Sequence, residues 1–260
     1  MINQITAILT IAQRDFTKLL RDRARILATF IFPFLFIGIL GTSLESNLPP
    51  NIGYSFKVFV FTGVLAQTLF QSTASGIISL IEDRENDFSQ EIFVSPISRY
   101  SIIIGKILGE TAVSMAQGLG IIAFGLLIGI PLSLEKLTFM FPAGLMACLF
   151  GGAFGILVLS NLKSQRSANQ IFPFIIFPQF FLAGVFNPIK TLPPFLHILS
   201  RVMPMTYAVD LMRGVYYANS PEKNLIVLHS ISWNVLVISV FFIIFLLLGT
   251  ALFIKNEKNK

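Results

Sequence analysis

The chain has 260 residues, of which 54% are hydrophobic and 27 are phenylalanine, and its mean hydropathy is +0.77. So little polar surface cannot cover so large an apolar interior, which excludes an ordinary soluble domain and points to a membrane protein. The net charge of +6 does not point to nucleic acid either, because the basic residues sit mostly at the ends of apolar runs, where they anchor helices among headgroups.

Residues 2–23 place Ile5, Ile8, Leu9, Ala12, Phe16, Leu19 and Leu20 at helical spacing, with Gln4, Gln13, Arg14, Lys18 and Arg21 turned away. This pattern predicts an amphipathic helix lying along the membrane surface, so that 1–25 forms an interfacial element. The apolar run that follows is too long for the core of a cleavable signal, and a retained first span is expected.

About 20 apolar residues cross about 30 Å of hydrocarbon as a helix. Six runs qualify, near 26–44, 57–81, 107–130, 138–160, 169–186 and 230–254. The expected fold is therefore all-α, a single polytopic domain over 1–260 with six transmembrane helices. Pro33 and Pro142 bend or start two of them, and the fifth carries Pro173 and Pro178. Glycines at 38/41, 118/120 and 151/152/155 mark places where helix backbones can approach closely. The lone Cys148 lies inside an apolar run, which excludes a disulfide within the chain.

Between the second and third runs lies a charged island, 82–106, in a chain where only 12% of residues are charged. Asp87 to Val94 can form a short helix with Phe88 and Ile92 on one face, stopped by Pro96. Such an element is either a solvated loop or a docking surface for a soluble partner. Segments 1–25, 82–106, 161–168 and 255–260 carry 5, 3, 2 and 3 basic residues, whereas loops 45–56 and 131–137 carry none and one. That asymmetry predicts both termini on the cytoplasmic side. Segment 187–229 then faces outward, and Pro193, Pro194, Pro204 and Pro221 divide it into pieces too short to cross. Short re-entrant or interfacial helices are expected there, with Tyr207, Tyr216 and Tyr217 at headgroup depth.

The spans hold few ionisable groups. Glu110 sits one turn into the third run, at i,i+4 from Lys106, and His229 lies at an edge. This argues against an ion-coupled carrier, which needs intramembrane relays. No nucleotide site is expected, because Gly105-Lys106 has Tyr100 where a P-loop needs glycine and Ile107 where it needs Ser or Thr. His197 and His229 stand on different segments with no ligand at metal spacing, so neither a metal, a cofactor nor an enzyme is predicted. Asp210 and Arg213, at i,i+3, are read as a structural ion pair. Gln67, Gln71, Gln117 and Gln179 either bond between helices or line a translocation path.

Three stretches resemble the membrane permease subunits of type-2 ABC exporters. They are RDRARILATFIFPFLFIGILG with Arg21, Pro33 and Gly41, then the central EDRENDFSQEIFVSPISRYSIIIGKILGE with Glu85, Glu91, Ser95, Pro96, Arg99 and Lys106. The third is FNPIKTLPPFLHILSRVMPMTYAVDLMRG, with Pro188, Pro193, Pro204, Thr206, Tyr207, Asp210 and Arg213. Asp87 departs from the glycine found in many members. The resemblance implies an exporter or flippase for a hydrophobic or amphipathic solute, energised by a separate ABC ATPase subunit and built from two permease copies as a homodimer or pseudo-dimer. It also makes 82–99 the coupling element, for which Glu85, Asp87, Phe88, Gln90 and Glu91 are the candidate contacts. A membrane anchor or sensor that recruits a soluble partner without transporting is the alternative. The wealth of Phe, Ile, Asn and Lys and the KNEKNK tail suit an AT-rich genome, hence a plastid or bacterial inner membrane.

Overall fold

The computed structural model describes residues 4–21, 27, 30–47, 52–85, 97–162 and 164–258. Among them the chain is helical with no strand. Four long helices start at serines whose hydroxyls accept from the backbone three residues on, which satisfies one otherwise orphaned N–H at each start. These N-caps are Ser55, Ser98, Ser133 and Ser164.

The elements are α1 (Gln4–Arg21), α2 (Phe30–Asn47), α3 (Phe56–Gly76) and α4 (Ile78–Glu85). They continue with α5 (Arg99–Leu127), α6 (Leu134–Leu159) and α7 (Gln165–Leu182). Then come α8 (Pro194–Val202), α9 (Pro204–Tyr216), α10 (Lys223–Ile226) and α11 (Ile231–Lys258). Five stretches are long and apolar enough to cross a membrane: Phe30–Asn47, Phe56–Asp83, Arg99–Leu127, Leu134–Leu159 and Lys223–Asn256. The expected run 169–186 falls mostly within α7, whose first turn, Gln165 to Ala168, is polar and keeps it outside that group. Within α2, Phe34–Gly41 is a π-helix directly after Pro33. Proline has no N–H to continue the regular ladder, and hydropathy does not distinguish this wider turn from an ordinary span.

α3 is the central helix, buried along most of its length, whereas α2 and α11 are largely exposed. α6 crosses α3 so closely that a Cβ at Gly151 would overlap the carbonyl of Phe70, and one at Gly155 that of Ala74. These glycines therefore serve packing, the role small residues have where helices associate without a hydrophobic drive.

The outer segment breaks where its prolines stand, with α8 and α9 opening on Pro194 and Pro204 as first-turn residues. Tyr216 and Tyr217 correct the expectation of headgroup anchors, since both are buried. The Tyr216 hydroxyl donates to the carbonyl of Pro131 at 3.0 Å, joining α9 to the α5–α6 turn. The exposed apolar face in this segment belongs instead to α8, through Phe195, Ile198 and Val202.

Candidate functional site

α1 lies along the first half of α5 in the same direction. Gln4 Oε1 accepts from the backbone N–H of Ser98 at 3.1 Å. Gly105 and Gly109, four residues apart, form the seat: a Cβ on the first would lie 3.1 Å from the carbonyl of Ile8, and one on the second 3.1 Å from Cα of Ala12. Such small-xxx-small spacing lets two backbones meet. We expect Gly109→Leu to dislodge α1 while leaving the bundle folded, read as new protease cleavage within residues 4–21 and an unchanged helical circular dichroism signal.

Above this seat four charges from three helices converge. Lys106 Nζ of α5 stands 3.1 Å from Asp15 Oδ2 of α1 and 2.7 Å from Asp83 Oδ2 of α4, and it donates to Ser79 Oγ at 3.1 Å. Arg14 Nη2 reaches Asp83 Oδ2 at 2.6 Å and Asp15 Oδ1 at 3.1 Å. The Lys106 and Asp15 side chains are each only 2% exposed and Asp83 12%, so this is a desolvated, charge-balanced cluster, unlike the exposed Lys18–Glu82 contact at 3.9 Å. Burial by itself would lower the Arg14 pKa, yet the hydrogen bond and attraction of Asp83, with help from Asp15, hold it above its ordinary value. Lys106 thus turns across to α1 and α4 instead of to Glu110, which packs against Gly76. The cluster escapes local spacing rules because its partners are far apart in sequence. Two signs were available: Asp15 is the sole acid in residues 1–21, and Lys106 is a cation set inside an apolar run.

Both ends of the charged island meet this assembly. Glu85 is exposed, and its Oε1 accepts from the N–H of Gln165 at 3.1 Å, at the start of α7, where a carboxylate complements the helix dipole. Asp87, Phe88, Gln90 and Glu91 lie outside the described residues. Asn256 Nδ2 of α11 donates to the carbonyl of Ser160 at 3.2 Å, which brings the end of α11 to this same end of the bundle.

Of the four glutamines, three are buried within the subunit and bonded there. Gln67 Nε2 donates to Gln71 Oε1 at 2.5 Å, Ser72 donates to Gln117 Oε1 at 2.6 Å, and Gln179 Oε1 accepts from the N–H of Met205 at 3.2 Å. Gln71 alone is partly exposed.

At the opposite end, Asp210 and Arg213 each turn to partners other than one another. Asp210 accepts from the N–H groups of Leu228 and His229 at 2.7 and 2.8 Å and from Asn234 Nδ2 at 2.8 Å. Arg213 Nη2 donates to the carbonyls of Phe59 and Val185 at 3.2 and 3.1 Å, with its guanidinium 3.7 Å above the Phe59 ring. Thr206 and Tyr207 donate to the carbonyls of Ser200 and Arg201 at 2.6 and 2.8 Å. The polar residues of this stretch therefore act as a clasp on backbone groups that α8, α9 and the approach to α11 would otherwise leave unpaired.

The family described as ABC-2 type transporter matches residues 6–217. The chain is similar to the transport permease ycf38 of Cyanophora paradoxa, 26% identical over 262 residues that cover 98% of this chain and 90% of the relative. It is also similar to ycf38 of Porphyra purpurea, 29% identical over 218 residues, 82% of this chain and 74% of the relative. A third relative is YbhR of Escherichia coli, named as a multidrug ABC transporter permease, 26% identical over 197 residues, 73% of this chain and 50% of that protein.

Proposed function

The chain belongs to the ABC-2 type transporter family, and from that premise we propose that it is the transmembrane subunit of an ATP-driven exporter or flippase for a hydrophobic or amphipathic solute. ATP is hydrolysed by a separate ABC ATPase subunit that grips the island 82–99. Both termini and that island lie on the cytoplasmic or stromal face of a bacterial inner or plastid membrane. α7 completes six spans, and α8 and α9 are re-entrant helices sealing the outer end.

The observation that carries this reading is the buried charge cluster. It ties α1, α4 and α5 into one body at the two ends of the island, so a force applied to residues 86–96 is delivered to three helices together, as a rigid-body switch requires. Glu85 extends the connection to α7. Glu85, Asp87, Phe88, Gln90 and Glu91 are the proposed contacts with the ATPase.

The path runs between two copies, across the flank where α2 meets α7 through the Phe32–Phe180 ring pair and the stretch after α7 through Phe36–Phe186. Phe34, Phe174, Phe177 and Phe181 are exposed on these helices, a surface suited to an apolar solute. Gln71, partly exposed, is the glutamine kept as a path residue.

The test is purification of the intact complex from its host. An ATPase chain is expected to accompany the permease, and Glu85→Ala with Glu91→Ala is expected to lower solute-stimulated ATP hydrolysis by about fivefold or more. An unaccompanied permease, or hydrolysis indifferent to both substitutions, would overturn the assignment.

A further inference from the structure

A cleft of about 630 Å³ opens between α6, α9 and α11, at the end of the bundle remote from α1. That volume is within the range of small-ligand sites, which are mostly apolar with a few placed polar groups. The α6 and α9 walls run from polar to apolar, and the α11 wall is apolar throughout. On α6 the polar Glu135 and Lys136 stand at the mouth and Met146 at the bottom; Val215 of α9 lies below Asn219 and Ser220, and Val235 of α11 lies one turn below its start. From Glu135 to Met146 a helix rises about 16 Å, close to the roughly 15 Å of one hydrocarbon leaflet.

The mouth is charge-balanced. Glu135 is exposed on the first turn of α6, and Lys136 beside it leans over the Tyr216 ring, 4.0 Å from its centre, and donates to the carbonyl of Pro131 at 3.3 Å. Exposed Phe139 and Pro142 form the lip, so the cleft opens sideways. The buried helix α3 stands between it and α2.

We propose that this cleft holds a resident membrane lipid with a zwitterionic headgroup. Its ammonium faces Glu135, its phosphate faces Lys136 and Asn219, and one acyl chain descends toward Met146, Val215 and Val235. The lipid braces α9 against α6 and α11 and is distinct from the transported solute. The proposal rests on the chain being embedded in a bilayer, and not on ATP coupling.

The experiment places the purified full-length complex in nanodiscs of phosphatidylcholine carrying a diazirine on the acyl chain and maps the photo-adducts by mass spectrometry. Adducts are expected to concentrate on Met146, Val215 and Val235, to fall about tenfold in Val215→Trp, which fills the lower cleft, and to persist unchanged through ATP turnover. Glu135→Lys, a change at an exposed position, is expected to leave the fold intact and to shift competition from phosphatidylcholine toward phosphatidylglycerol. Adducts spread evenly along exposed residues of α11 such as Ile243 and Leu247 would overturn the proposal, as would a headgroup preference indifferent to Glu135→Lys. Loss of the adducts on ATP addition would identify the occupant as cargo and likewise overturn it. Loss of ATPase coupling with the adducts intact would instead strike only the assignment made above.

Discussion

Replacing Lys106 by methionine is expected to free α1 from the bundle and to destabilise the subunit by about 3–5 kcal/mol, the usual cost of removing one partner from a buried ion cluster. In the native protein Lys106 is the only member that touches Asp15, Asp83 and Ser79 together. Without it, two carboxylates on different helices share Arg14 alone, and one buried negative charge is uncompensated. Methionine keeps the stem and the volume, so the loss reports charge and not packing. Thermal unfolding in detergent measures the stability, and accessibility of a cysteine placed at Gln13 measures the position of α1. Adding Asp15→Asn to Lys106→Met restores neutrality, and the double variant is expected to recover more than half of the loss. Equal stability of the single and double variants would show that the ammonium holds α1 by some means other than charge balance. If α1 transmits force from the ATPase, Lys106→Met also uncouples ATP hydrolysis from transport before the protein unfolds.

Arg213→Leu is expected to cost about 3 kcal/mol or more, because two carbonyls each lose a charge-assisted hydrogen bond of roughly 1.5–3 kcal/mol. The guanidinium joins α3 to the stretch after α7 by bonding Phe59 and Val185 while lying on the Phe59 ring. It fits beside Gly63, where a Cβ would come within 2.8 Å of Nη2. Arg213→Lys is expected to recover less than half of the loss, since one ammonium cannot span both carbonyls and stack on the ring at once. Denaturant or thermal midpoints of the three proteins in the same detergent decide this. Full rescue by lysine would show that position 213 needs only a positive charge.

The helices were legible because an apolar chain in lipid has few ways to satisfy its backbone, and a run of about 20 apolar residues is itself the signal. The breaks at Pro193 and Pro204 were legible for the same local reason: proline starts a helix and cannot continue one. Side-chain partners were not. By spacing alone Lys106 pairs with Glu110 and Asp210 with Arg213, yet the fold gives Lys106 to Asp15, 91 residues away, and Asp210 to the backbone of Leu228 and His229. A helix-surface rule assumes that both members stay at their own surface, and these side chains point into neighbouring segments. The run 169–186 reads as a span in the sequence, whereas α7, which opens on the polar residues Gln165 to Ser167, is not among the five stretches apolar enough to cross. Of the five residues proposed as ATPase contacts, Glu85 alone lies among the described residues, and its partner at Gln165 was invisible in a linear reading.

The 91-residue separation of Asp15 and Lys106 also sets a schedule for biogenesis. At roughly 5–20 residues per second of synthesis, α1 leaves the ribosome about 5–18 seconds before the lysine that will neutralise it exists. Throughout that interval Asp15 has Arg14 beside it, and Ile5, Leu9 and Leu20, exposed even in the finished fold, give the helix a greasy side with which to wait on the bilayer surface. The docking of α1 is then a capture, in which α5 arrives already carrying its glycine seat and its cation and collects a helix parked there two spans earlier.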